Sequence, residues 1–130
     1  MGKTEFGKIE KILKEYKHYN TYIRIAELNK EIHSNNEEYL LKQDKRIEYY
    51  KKMNSNVAKC LKVLSNDELE FVKELYFNGK TVISIIPILR KVLNNFLAKD
   101  ITILNKCSTI KRLILTKLLN ENILGVENIW

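Results

Sequence analysis

The sequence predicts an all-α protein, with a long N-terminal helical hairpin followed by a small helical bundle. Three observations support this prediction. One proline and four glycines in 130 residues leave few positions that interrupt helices. Apolar residues in the first half recur at alternating steps of three and four, which is the period of packed helices. The stretch from Leu64 to Thr81 carries a full set of helix start and stop signals.

Residues 5–33 are predicted to form one long helix. Its seam consists of Ile9, Ile12, Tyr16, Tyr19, Ile23 and Ala26. The stretch "HSNNEE" at 33–38 is a break in which Ser34 or the asparagines can cap a second helix, from about Glu37 to Val63. That helix has its own seam, with polar Asn54 at one position: Ile47, Tyr50, Val57, Leu61 and Leu64. The two helices fold back on each other, or a parallel dimeric coiled coil forms instead.

A new helix is predicted to begin at Ser65. Ser65 and Glu68 have the spacing of a capping box, in which two free amides at the start of a helix are satisfied reciprocally. Leu64 and Leu69 stand where a hydrophobic staple would close. Asn78-Gly79 ends the helix at a residue that tolerates positive φ. These features divide the chain into segments 1–63, 64–122 and a tail, 123–130.

The rest of the second segment is predicted to be helical and mostly buried. "TVISIIPILRKVLNNFLAKD" is too apolar for a surface helix, and Pro87 kinks or restarts it. Asp100 or Thr102 begins a short helix, and a final helix starts at Ser108 and ends before Gly125. We expect Leu115 and Leu119 on the outer face of that helix and an inner stripe of Ile110, Leu113, Ile114 and Leu118.

The charge distribution favours an anionic partner. The net charge is +7, and the stretch from Lys99 to Lys117 contains one acid, Asp100. Its bases are Lys99, Lys106, Lys111, Arg112 and Lys117. Clustered positive charge is the electrostatic footprint of nucleic-acid binding, although lysine-rich proteins often share it.

The residues give no basis for an enzyme or a metal site. Cys107 beside Ser108 has no nearby histidine in the sequence, so a structural thiol is expected. His18 and His33 do not combine with the cysteines at zinc-like spacing. We expect no catalytic residue, metal or cofactor. No apolar run is long enough for a membrane span, so a soluble, cytoplasmic protein with free thiols at Cys60 and Cys107 and no membrane partner is predicted.

The stretch "LSNDELEFVKELYFNG" resembles the opening of the promoter-reading C-terminal domain of bacterial sigma factors. It resembles still more closely the ArpU/RinA-like phage regulators, which join a long helical region to such a domain. The matching residues are Leu64, Ser65, Glu68, Leu75, Tyr76, Phe77 and Gly79. Near the end, "CSTIKR" is similar to the start of that family's recognition helix, with matches at Ser108, Thr109, Ile110 and Arg112. The resemblance implies a helix-turn-helix module over residues 64–122.

The spacing departs from the family pattern. Its recognition helix follows the glycine by about fifteen residues, as a short turn requires. In this chain Ser108 lies 29 positions after Gly79. Either a segment is inserted inside the helix-turn-helix, or the motif has degenerated and the final helix is an addition.

Three functional hypotheses remain open. The first is a phage-type transcriptional regulator that binds double-stranded DNA as a monomer or homodimer, with Arg112 contacting a base. Its DNA-binding residues are Lys106, Thr109, Lys111, Arg112, Thr116 and Lys117. The second is a phage-encoded protein-binding module that engages or inhibits a host protein, such as RNA polymerase or a defence nuclease. The third is a helical domain whose charge serves only solvation. A continuous basic stripe would favour the first, and an exposed apolar patch beside the last helix the second.

Overall fold

A computed structural model describes residues 3–126, and this part of the chain is helical without any strand, which confirms the all-α prediction. Residues 127–130, including Trp130 of the predicted tail, lie outside it. The elements are α1 (Lys3–Tyr16), α2 (Tyr19–Ile32), α3 (Glu37–Leu61), α4 (Asn66–Val72) continued by a π-helical turn (Lys73–Phe77), a 3₁₀ turn (Ile83–Ile85), α5 (Ile86–Leu93), α6 (Asp100–Asn105) and α7 (Cys107–Asn120).

The prediction of one helix over residues 5–33 is wrong, because the chain turns at Lys17–His18. The amide of His18 donates to the carbonyl of Glu15 at 2.8 Å, and α2 starts at Tyr19. The two helices pack against different parts of the protein. α1 packs against α7 and the π-helical turn, whereas α2 packs mainly against α3. Neither glycine nor proline marks the break, so tertiary packing sets its position.

Helices α2 and α3 pack against each other across the short connection at 33–36. Asn36 caps α3, because its Oδ1 accepts from the amide of Tyr39 at 3.0 Å. Tyr19, Ile23 and Ala26 are buried on the α2 side, as their seam spacing predicts. The buried polar residue of α3 is Gln43, while Asn54 is half-buried. We call the part of α2 after Tyr19 and the part of α3 before Tyr50, with the connection between them, the arm.

One core extends through both predicted segments. Its members include Ile9 and Leu13 from α1, Val57 and Cys60 from α3, and residues from every later helix. Among these later members are Phe71, Val72, Leu89, Ile103, Ile114 and Leu118, and Ile123 after α7 also belongs to the core. Ile23 and Ala26 lie outside this cluster, so the arm is packed mainly by its own two helices, although Tyr22 and Tyr49 at its base also pack against the core. None of the helices described is both long and apolar enough to cross a bilayer.

Helix α7 differs from its prediction in which side chains are buried and in where the helix ends. Leu115 is 4% exposed and Leu113 is 52% exposed, so their predicted positions are exchanged. The helix contacts α1 and α6 as well as the core, and these contacts place Leu115 on its buried side. The helix is ended by Asn122, with φ of 65°, and the amide of Ile123 donates to the carbonyl of Leu118. The predicted stop at Gly125 is therefore three residues late.

Candidate nucleic-acid interface

The N-terminus of α4 forms the predicted capping box. The amide of Glu68 donates to Oγ of Ser65 at 3.2 Å, and the amide of Ser65 donates to Oε1 of Glu68 at 2.9 Å. Gly79 follows the π-helical turn with φ of 65°, which confirms the predicted end. The sequence signals at both ends of this helix were therefore interpreted correctly.

The carboxylate of Glu68 has a second role, because it also receives the side chain of Lys117 from α7. Nζ of Lys117 lies 3.0 Å from Oε1 and 2.8 Å from Oε2. Burial of Glu68 opposes ionisation, but the hydrogen bonds from Lys117 and from Ser65 outweigh it and lower the pKa of this carboxyl below its ordinary value. A cation predicted to contact phosphate is thus bonded to an internal carboxylate.

The outer face of α7 carries three of the six predicted DNA-binding residues. Thr109, Arg112 and Thr116 are spaced by three and four, so they lie on the same side of the helix. Thr109 and Arg112 are exposed, and the hydroxyl of Thr116 donates to the carbonyl of Arg112 at 2.7 Å. Lys106 is exposed at the junction between α6 and α7. This face can therefore present one guanidinium, the hydroxyl of Thr109 and a flanking ammonium to a ligand.

The other two predicted residues lie to the sides of this face. Lys111 is half-buried, and Lys117 is turned towards α4 by its bond to Glu68. The structure therefore does not assemble all six into one continuous basic stripe. Lys106 and Arg112 remain the exposed cations of the set.

The surface of α6 and α7 is positive because acids are absent or paired. No Asp or Glu occurs between Ile101 and Asn120. Asp100 is bonded to Nη2 of Arg90 at 2.6 Å. Within residues 3–126, no ion pair involves Lys106, Lys111 or Arg112. Their charge is therefore available to an anionic partner.

The loop at 94–99 was missed by the sequence analysis, which placed it in a buried helical stretch. α5 ends at Asn94, with φ of 52°, and Oδ1 of Asn95 accepts from the amides of Leu97 and Ala98. Nη1 of Arg90 donates to the carbonyl of Ala98 at 2.7 Å. These bonds hold Phe96 and Leu97 outwards, and Leu97 is 98% exposed. The adjacent asparagines, which favour turns and positive φ, were the available sequence signal.

The segment between Gly79 and Ser108 folds as α5, this loop and α6. α6 and α7 are separated by Lys106 alone, whereas a helix-turn-helix has a turn of about three or four residues. A helix-turn-helix interpretation must therefore take α5 as the first helix and residues 94–105 as an insertion. The arrangement leaves the outer face of α7 exposed but does not reproduce the short turn.

Neither cysteine has the environment of a nucleophile. Cys60 and Cys107 are both free and buried, as predicted. Burial raises the pKa of both thiols, although Lys59 and Lys111 act in the opposite direction. Sγ of Cys60 donates to the carbonyl of Glu121 at 3.3 Å, which is a structural contact. Among residues 3–126, no cluster of His, Cys, Asp and Glu has the arrangement of a metal site.

Comparisons with protein-family models, with curated proteins and with solved structures give no match for this chain.

Proposed function

We propose that this chain is a non-enzymatic, phage-type transcriptional regulator that binds double-stranded DNA through the outer face of α7. The observation that carries the proposal is the row of Thr109, Arg112 and Thr116, of which the first two are exposed, on a stretch without acids. A helix that enters the major groove needs such a face, with short polar side chains and a planar two-pronged donor. The resemblance to sigma-like domains supports the same partner.

The structure changes the roles that the individual residues take in this proposal. Arg112 is the base-contacting residue, since it is exposed at the centre of the row. Lys106 and Lys111 contact phosphate from the two sides. Lys117 acts indirectly, because its bond to Glu68 fixes α7 against α4. We therefore remove Lys117 from the direct contacts.

A titration with duplex DNA at two salt concentrations tests the proposal. Affinity should fall steeply as salt rises, because phosphate contacts release counterions. Lys106→Ala and Lys111→Ala should each reduce the salt slope by about 1. Lys45→Ala is the matched control, since Lys45 is exposed on α3 in the arm. Absence of salt-dependent binding to any duplex, including DNA upstream of its own coding region, would contradict DNA binding.

The loop at 94–99 favours a second candidate function, which is binding to a host protein such as RNA polymerase or a defence nuclease. Leu97 is fully exposed, and burying its side chain in an interface would contribute about 1.5–3 kcal/mol. Phe96, the preceding residue, and Ile101 in α6 are also largely exposed. Exposed apolar patches commonly mark protein interaction sites. If the chain binds RNA polymerase, Leu97→Ser should abolish binding to the purified polymerase, while Leu41→Ser, at another exposed leucine, should not.

A further inference from the structure

Helix α2 has two apolar faces, and α3 covers one of them. The inner face consists of Tyr19, Ile23 and Ala26. The outer face consists of Ile25, Leu28 and Ile32, which are 50%, 39% and 72% exposed. No other helix of the described chain packs extensively on α2, so this outer face is open.

The spacing of the outer face is that of a helix seam. Ile25, Leu28 and Ile32 follow steps of three and four, the pattern that packs one helix against another. A surface helix of a monomer normally shows one apolar stripe, and a helix that is apolar on two sides is normally buried on both. The arm is also thin, because two helices alone bury little apolar surface. These features favour a further helix along α2.

The charges beside the seam suit a second copy of this chain. Arg24 precedes Ile25 and Glu31 precedes Ile32, so both lie on the same edge of the seam with opposite charges. Both are exposed, and neither forms an ion pair with another residue of the described range. If two copies of α2 run antiparallel about a twofold axis near Leu28, each Arg24 lies beside the other copy's Glu31. The surface is self-complementary, as a twofold interface requires.

We propose that the chain forms an antiparallel homodimer through the outer face of α2, with Leu28 at the centre. Three apolar side chains on one helix cover less area than a standard interface, which buries about 800 Å² on each partner. Association should therefore be reversible and concentration-dependent. A parallel dimer would place the two Arg24 side chains at one level and the two Glu31 side chains at another, without the cross-pairing.

Sedimentation velocity of the full chain over a hundredfold concentration range tests the dimer. The weight-average mass should rise towards twice the monomer mass. Leu28→Lys should keep the protein monomeric over this range, with an unchanged circular dichroism spectrum. Leu41→Lys is the matched control, because Leu41 is similarly exposed but lies on the back of α3. A parent protein that stays monomeric throughout, or equal effects of the two substitutions, would overturn the proposal.

Charge reversal tests the antiparallel orientation. Arg24→Glu and Glu31→Arg should each weaken self-association, because each creates two repulsive pairs across the axis. The double variant R24E/E31R should restore it. An equimolar mixture of the two single variants should form heterodimers more strongly than either variant forms homodimers, since both pairs are then attractive. Equal association of all these species would refute the cross-pairing. DNA binding does not enter these readouts, so they are independent of the proposed function.

Discussion

Lys117 and Glu68 join the last turn of α7 to the first turn of α4, with Nζ 2.8 Å from Oε2. The same carboxylate accepts from the amide of Ser65, so one side chain closes the cap of α4 and holds α7 in place. The carboxylate is buried, and the ammonium group is partly exposed. The orientation of the proposed DNA-binding face therefore depends on a contact between residues 49 positions apart.

Lys117→Met should destabilise the fold by about 1–2 kcal/mol, because a buried carboxylate loses its charged hydrogen-bond donor. Chemical denaturation with urea measures this difference. Lys111→Met is the matched control on the same helix, since no ion pair of Lys111 occurs within the described range. If the two variants have the same denaturation midpoint, the Lys117–Glu68 contact contributes no stability.

The same contact predicts how stability depends on pH. The pKa of Glu68 is lowered from its ordinary value of 4.5 in the folded protein, so its contribution is complete above that value. The contribution is lost as the pH falls through the lowered pKa, when the carboxyl becomes protonated in the folded state as well. Glu68→Gln keeps an acceptor for the amide of Ser65 and removes the charge. The difference in unfolding free energy between parent and E68Q should be constant near neutral pH and shrink in acid. A difference that grows in acid would contradict this assignment.

Ser65→Ala should lower stability by about 1 kcal/mol, because the amide of Glu68 loses its acceptor. Ser55→Ala is a suitable control, since Ser55 is exposed in the middle of α3 where alanine favours the helix. The two substitutions should shift the urea midpoint in opposite directions. Equal midpoints for S65A and the parent protein would show that the hydroxyl is not an effective cap.

The features predicted correctly from sequence are those set by neighbouring residues. Ser65 and Gly79 act within one turn of their own helix, so their positions can be derived from local spacing. Asn36 is one of the alternatives predicted for the cap of α3, beside Ser34 and Asn35. The break at Lys17–His18 has no such local cause. It arises because α1 and α2 pack on different partners, which short-range patterns do not encode.

The candidate site was predicted only in part for the same reason. The row of Thr109, Arg112 and Thr116 follows from helical spacing. The pairing of Lys117 with Glu68 is a long-range contact, so sequence analysis assigned Lys117 to phosphate. The phase of α7 was also misjudged, because a helix with leucine and isoleucine on several sides has no single apolar stripe. Only the packing of α1 and α6 decides which of these side chains is buried.

The corrected phase of α7 gives a direct test with two leucines on one helix. Leu115→Ala should cost about 2–5 kcal/mol, because it leaves a cavity in the core. Leu113→Ala should change the unfolding free energy by less than about 0.5 kcal/mol, because that side chain is half exposed and its removal leaves no cavity in the core. Thermal and urea denaturation of both variants measure the contrast. The reverse order would return α7 to the phase predicted from sequence, and Leu115 to the outer face.

Substitutions of Arg112 separate sequence-specific binding from general attraction to DNA. Arg112→Ala should cost about 1–3 kcal/mol at a preferred site and much less at unrelated duplexes, because a guanidinium donates two bonds to guanine. Arg112→Lys keeps the charge and loses this geometry, so it should retain the salt slope but lose the preference. A selection from random duplexes, followed by titration of the three proteins on selected and scrambled sites, measures both effects. If R112A weakens all duplexes equally, Arg112 contacts phosphate and base recognition lies elsewhere. If it changes nothing while Leu97→Ser abolishes binding to RNA polymerase, the protein-binding alternative replaces the DNA proposal.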